Sequence, residues 1–221
     1  MKISVKHCFL LFGLLMQGVP FSAQNTFGGN SKLSVYAGTS RYMGKFVGIT
    51  NNSSSYRNGL RNGTVWSADY YYTGIGTSSC RFASGFMYQG SRYNNYYEEG
   101  TDKIQMHYIA PQAAFYYVKP QYSFSAGVGV GYQLYKDKST VFDKPRDVSM
   151  NKLAFNISAG GEYLFTSHVG IAVKLNWITS GSDTYSVKYH GREWQVETPQ
   201  LSDGGGAFSQ LSFLIGLNFH F

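Results

Sequence analysis

The chain has 221 residues, with 19 Lys and Arg against 12 Asp and Glu, a formal charge of +7 and a mean hydropathy of −0.24. Charged residues make up only 14%, aromatics 17%, and there are 26 Gly, which excludes a disordered chain and suits one domain of many strands. The modest hydropathy does not exclude a membrane protein, because a barrel hides a polar face in its middle.

Residues 1–23 read as a secretory leader: Lys2, Lys6 and His7 come first, then a mostly apolar run over 8–16, then a more polar exit. The run is about half the roughly 20 residues of a spanning helix, and no other stretch is long enough. Cleavage is expected between Ala23 and Gln24, although Phe21 is bulkier than the usual small residue at that distance. The leader takes two of the seven excess positive charges and Cys8 with it, so Cys80 stands alone and an internal disulfide is excluded.

After a loose lead over 24–31, period-two alternation predicts eight strands. The first covers 32–40, with Leu33, Val35 and Ala37 on one face. A long loop over 41–63 carries Arg41, Lys45, Arg57 and Arg61. Strand two covers 64–73, with Trp66, Ala68, Tyr70 and Tyr72 on the apolar face and Asp69 opposite. A short turn over 74–79 leads to strand three over 80–90, where Phe82, Phe86 and Tyr88 face out and Arg81 and Met87 face in.

A second long loop is expected over 91–102 and strand four over 103–117. There Ile104, Met106, Tyr108 and Ala110 share one parity, while Ala113, Phe115 and Tyr117 share the other. Keeping every apolar group outward needs a one-residue phase change, so a bulge is predicted at Pro111, which also lacks a ladder donor. A tight turn over 118–121 precedes strand five over 122–135. This is the clearest alternation after the last strand: Phe124, Val128 and Val130 out, Gly127, Gly129 and Gly131 in.

A charged loop over 136–150, strand six over 151–165, a turn over 166–168 and strand seven over 169–179 follow. The connection over 180–207 contains an alternating stretch, Tyr185, Val187, Tyr189, Trp194 and Val196, with His190-Gly191 placed as a hairpin turn. Strand eight covers 208–221. Its Leu211, Phe213, Ile215, Leu217, Phe219 and Phe221 share one greasy face that runs to the carboxyl terminus.

Each strand is near the ~9–11 residues that cross a bilayer at a tilt, and connections alternate long and short. Outer-membrane barrels show this pattern, with long external loops, short periplasmic turns and an even strand count. The pattern predicts an all-β, eight-stranded, antiparallel up-and-down transmembrane barrel over 32–221, with both termini in the periplasm. A soluble lipocalin-like barrel is the rival fold, but it would be greasy inside and polar outside.

The strands over 64–73, 104–117, 124–135 and 211–221 resemble the small porin-like outer-membrane β-barrel family, the OmpX, OmpW and opacity-protein group, most closely its Bacteroidetes-type members. The resemblance covers nearly all of 32–221. The terminal Phe221, with Phe219, Leu217 and Ile215 before it, looks like the family's assembly signal, which implies recognition by the outer-membrane barrel insertion machinery. Family functions are diverse, so location and fold are implied more than activity.

Two ion pairs are predicted in the lumen from diagonal neighbours across short turns: Asp69 with Arg81, and Glu162 with Lys174, joined with Gln105, His107 and His220. They read as a polar plug, with a proton or ion relay as the rival. An interior of eight strands is filled by side chains, which argues against an open pore. No catalytic or metal-ligating set is assigned and no cofactor is expected. Ser167-His168 sits in a short turn with no acid beside it, and no Cys/His spacing suggests zinc.

The function expected is therefore non-enzymatic, structural or by contact of the external loops with a surface ligand or partner. Tyr185, Tyr189 and Trp194 are the candidate contacts, beside a Tyr93 to Tyr97 cluster. A narrow transporter or binder of small hydrophobic molecules is the alternative, and a lipid-modifying enzyme a third reading. Outer-membrane lipids are expected partners, nucleic acid is not, and the chain is expected to be a monomer.

Overall fold

The structure, a computed structural model, describes residues 29–44, 46, 49, 51, 53–181, 184–197 and 208–221. The leader, its cleavage after Ala23 and most of the 24–31 lead lie outside the described residues. Ten strands are seen: β1 (Ser31–Tyr42), β2 (Asn62–Gly76), β3 (Cys80–Tyr97), β4 (Gly100–Val118), β5 (Tyr122–Val141), β6 (Lys144–Leu164), β7 (Val169–Ser180), β8 (Thr184–Tyr189), β9 (Arg192–Glu197) and β10 (Gln210–His220). A short helix, α1 (Ser54–Leu60), precedes β2.

Eight of the strands close a ring. Antiparallel pairing runs from β1 through β7, β10 joins β7, and β1 closes on β10 from Lys32↔His220 to Tyr42↔Gln210. The remaining pair, β8 and β9, is a hairpin that attaches to β6 through Arg146↔Tyr189 and its neighbours. Its turn is His190-Gly191, both at positive φ, which is the geometry a two-residue hairpin of the right twist requires. The eight predicted strands and this hairpin are all present.

Alternation decides which side chain meets which medium. Leu33, Trp66, Phe86, Phe124, Val128, Ile157, Val173 and Ile215 are exposed on the outer wall, while Ser34, Ser67, Gln89, Gln112, Asn156, Asn176 and Asn218 are buried inside. Burying polar groups while exposing large apolar ones is the reverse of a soluble barrel and suits a hydrocarbon solvent.

The upper edge of the apolar belt can be read across the strands. The row Ala68–Tyr88–Ile109–Tyr132–Leu153 is wholly apolar or aromatic. One row further on stand Trp66, Gly90, His107, Leu134 and Asn151. The next is Thr64–Arg92–Gln105–Lys136–Ser149. The belt ends within two rows.

Beyond that edge the strands continue, which corrects two predicted loops. β3 and β4 run on to a tight turn at Glu98 and Glu99, and β5 and β6 to one at Phe142 and Asp143, the latter pair both at positive φ. Strands β2 to β6 are 15 to 21 residues long, whereas β1, β7 and β10 have 11 or 12. β2 is extended only at its lower end, since Asn62 pairs with Arg41 near the top of β1, so the wall that rises on one side is β3 to β6, extended by β8 and β9.

Inside this wall lies an ordinary hydrophobic core of Tyr42, Tyr56, Leu60, Tyr93, Ile104, Met106, Tyr135, Val148, Met150, Val187 and Phe208. α1 closes it. Ser53 caps the helix by accepting from the Tyr56 amide at 3.3 Å, and Tyr56 and Leu60, four apart on one face, are its two buried residues.

The core under α1 forms a cap on the barrel, and it corrects the phase change predicted at Pro111. Ile104, Met106, Tyr108 and Ala110 point inward, as do Gln112, Ala114 and Tyr116, so β4 keeps one parity throughout. Pairing of β4 with β5 passes over Ala110 and Pro111 and resumes at Gln112↔Gly129 in unchanged register. Pro111 faces outward, and Gly131 opposite leaves room for the close approach of Ile109 and Ala110. Ile104 and Met106 point inward because that part of β4 has left the belt, whereas Tyr108 and Ala110 fill the lumen at belt level. By the same parity Gln105 and His107 lie on the outer wall and not in the lumen. The irregularity in the ladder falls instead between Tyr72 and Ile75 of β2.

Candidate functional site

The lumen is packed in layers. Nearest the short turns is an apolar cluster of Tyr71, Ala83, Ala114, Tyr116, Val118 and Leu164; above it Asp69 on β2 pairs with Lys174 on β7 across the barrel, and Ser67 donates to Asp69 at 2.6 Å. The Lys174 ammonium also lies 4.7 Å from the centre of the Tyr36 ring. Beside them Glu162 receives His220 Nε2 at 2.6 Å, Ser123 Oγ at 3.2 Å and Lys32 Nζ at 3.7 Å.

The two ion pairs predicted from diagonal neighbours are not the ones formed. Asp69 faces Met87, whereas Arg81 lies opposite Gly76 and Tyr116 at the far end of β3. Lys174 is diagonal to Glu162 in the ladder but reaches across the lumen to Asp69. Of the four residues, Asp69, Glu162 and Lys174 share the buried layer, and Arg81 is half-buried at the rim.

The middle layer is a chain of amides. Asn176 donates to Gln89 at 2.9 Å, Asn156 donates to Asn176 at 3.1 Å, and Gln112 and Tyr108 donate to Asn156 Oδ1 at 2.8 and 2.9 Å. Gly129 has no side chain because Gln112 and Asn156 fill that space. Above it, Gln210 Oε1 accepts from Ser91 at 2.8 Å and Tyr93 at 2.9 Å. Tyr93, expected among the exposed loop aromatics, is fully buried. The cavity among Lys32, Tyr36, Asp69, Tyr116, Glu162 and Lys174 is only about 20 Å³, room for roughly one water. Side chains fill this part of the interior.

A second polar cluster sits in the cap and was missed by sequence reasoning. Arg146 donates to Asp102 at 2.9 Å, to Ser139 at 2.9 Å and to Asp137 at 3.4 Å. Tyr56 donates to Asp102 Oδ2 at 2.7 Å, tying α1 to the wall. Both carboxylates are fully buried. Burial pushes the Asp137 carboxyl up to about 6, and the charge of Asp102 adds to that. The signal was present as inward parity: Asp102, Ile104 and Met106 alternate without a break, as do Tyr135, Asp137 and Ser139.

The candidate contact residues lie on the β8–β9 hairpin. Tyr185 and Val196 pack partly against the cap core and Val187 is buried in it, while Trp194 is 44% exposed. Among the described residues β9 pairs only with β8. Ser167 and His168 meet at 2.9 Å in an exposed turn, where His168 makes no ion pair among the described residues. Ile215, Phe219 and Phe221 are exposed on the outer wall of the strand that closes the ring.

No protein-family model and no curated protein matches the chain. Solved structures do. A major outer membrane protein of Thermus thermophilus superimposes with a TM-score of 0.56 at 12% identity, covering 86% of this chain and 99% of that one. Ail, the attachment invasion locus protein of Yersinia pestis, gives 0.52 at 14%, covering 87% and 99%. Neisserial surface protein A gives 0.51 at 11%, covering 87% and 98%. At these identities the fold is what is shared. The chain is an outer-membrane-type β-barrel of the small, eight-stranded class.

Proposed function

We propose that this is a sealed, non-enzymatic barrel of the outer membrane, which holds a rigid β platform outside the cell for contact with a surface partner. One observation carries the reading: β3 to β6 rise from the barrel and, with α1 and β8–β9, enclose a hydrophobic core of their own. A passive anchor needs no such structure, and ordering it costs roughly 1–2 kcal/mol of backbone entropy per residue. The long hairpins are external and both termini periplasmic, as in barrels of this pattern. Phe221 and the apolar face before it serve the insertion machinery. The exposed Trp194 is the centre of the contact surface, on the same hairpin as Tyr189.

The packed lumen counts against the channel reading. The test is display of the barrel on a host lacking its own small barrels, followed by attachment to protein- and glycan-coated surfaces. Attachment should rise, and W194A and Y189A should reduce it without altering heat-dependent gel mobility. Unchanged attachment on display, or passage of small solutes through proteoliposomes, would overturn the proposal.

A further inference from the structure

We infer that the outer wall of β3, β4 and β5 carries a binding site for the phosphate of an anionic membrane lipid, formed by Arg92, Lys136 and His107 around Gln105. Arg92, Gln105 and Lys136 stand side by side in one cross-strand row. Directly opposed side chains on neighbouring strands have Cβ atoms about 5 Å apart, so one phosphate can be reached from both ends of the row. His107 is two residues below Gln105 on the same face, and its Nδ1 lies 2.6 Å from the Tyr88 hydroxyl. The Tyr88 ring packs on Trp66, centres 4.9 Å apart.

Depth identifies the occupant. The row immediately below contains Leu134 and Trp66, and the one beneath it Tyr132, Ile109 and Tyr88. Each row is two residues, at most about 7 Å along a strand. The headgroup region on each side of the hydrocarbon is also about 5–7 Å deep. The basic row therefore meets the layer where lipid phosphates lie, with an aromatic pair beneath it at the boundary where such rings settle.

Charge points the same way. Arg92, Lys103, Lys136 and Lys138 all face outward on these three strands, and none makes an ion pair among the described residues. The neighbouring carboxylates Asp102 and Asp137 are turned inward and held by Arg146. One row beyond, Asp147 faces outward opposite Lys138, but the row of Arg92, Gln105, Lys136 and Ser149 itself holds no acid. Guanidinium and ammonium donors converging on one oxyanion bind it with charge-assisted hydrogen bonds.

The test uses the whole barrel in neutral-detergent micelles, with bound lipid counted by native mass spectrometry. Diphosphorylated lipid A is the probe, with its dephosphorylated form and inorganic phosphate as controls. The site predicts saturable binding of the phosphorylated lipid at least tenfold tighter than the dephosphorylated one, and no retention of free phosphate. R92Q/K136Q should abolish the preference, R92K should keep most of it, and K119Q in the short turn between β4 and β5, at the other end of the barrel, should leave it unchanged. Unaltered gel mobility establishes that R92Q/K136Q is folded; should it fail to fold, H107Q is read in its place. Equal binding of both lipids, or an undiminished preference in the folded variant, overturns the assignment.

Discussion

Replacing Lys174 by Met tests the closed lumen most sharply, because its partner Asp69 comes from the opposite side of the barrel. Lys174 is 7% exposed and Asp69 2%. Without the ammonium, the carboxylate keeps the Ser67 hydroxyl but loses its counter-charge in a sealed interior. Breaking a buried pair from one side typically costs about 3–5 kcal/mol, and the Tyr36 contact is lost as well. Removing both charges, as D69N/K174M, should recover most of that, since a neutral pair of similar volume is often no worse than the ion pair. Urea unfolding in micelles, followed by heat-dependent gel mobility and tryptophan fluorescence, gives both numbers. A K174M cost below about 1 kcal/mol, or a double variant as damaged as the single one, would refute the cross-lumen pairing.

Other outcomes follow from the same geometry. Lysine at Val128, mid-belt on the outer wall, should cost about 2–4 kcal/mol in a bilayer, measured by unfolding from vesicles. Alanine at Gly129 should instead disturb the Gln112–Asn156 contact, and its cost should be the same in lipids of different thickness. Asp137 is an acid held above its ordinary 3.8, at about 6, so its ionisation opposes folding. Stability is gained as the pH falls from about 6 towards 4, by up to about 3 kcal/mol, and that gain is fully lost above 6. D137N should flatten this part of the pH profile of urea unfolding. Planar bilayers should show no steady conductance, since the lumen cavity is about 20 Å³.

Much of the fold was legible because period-two alternation is strict where one face meets hydrocarbon. Leu211 to Phe221 and Tyr122 to Leu134 announce their faces residue by residue, and His190-Gly191 announces its turn. The reading failed where a strand leaves the belt. Ile104 and Met106 are as greasy as Val128, yet they point inward, because above the belt water is outside and the core is within. Parity alone cannot tell which solvent a strand is passing through, so in sequence a change of medium looks the same as a bulge at Pro111.

The lumen pairs failed for a different reason. Ladder diagonals describe neighbours along the wall, whereas Lys174 finds Asp69 across the interior, a relation that only ring closure defines. The Asp102–Asp137–Arg146 cluster escaped notice because its residues were assigned to loops, where a charge needs no partner.

The inside-out arrangement is tested most directly by spin labels at single cysteines, in a C80S background reconstituted into lipid vesicles. Labels at Val128, Ile157 and Ile215 should collide freely with oxygen dissolved in the bilayer and hardly at all with a water-soluble nickel chelate. A label at Asn156 should be shielded from both. Oxygen-rich collisions at 156 with shielding at 128, 157 and 215 would mean that the apolar faces pack against one another and that the protein is no membrane barrel.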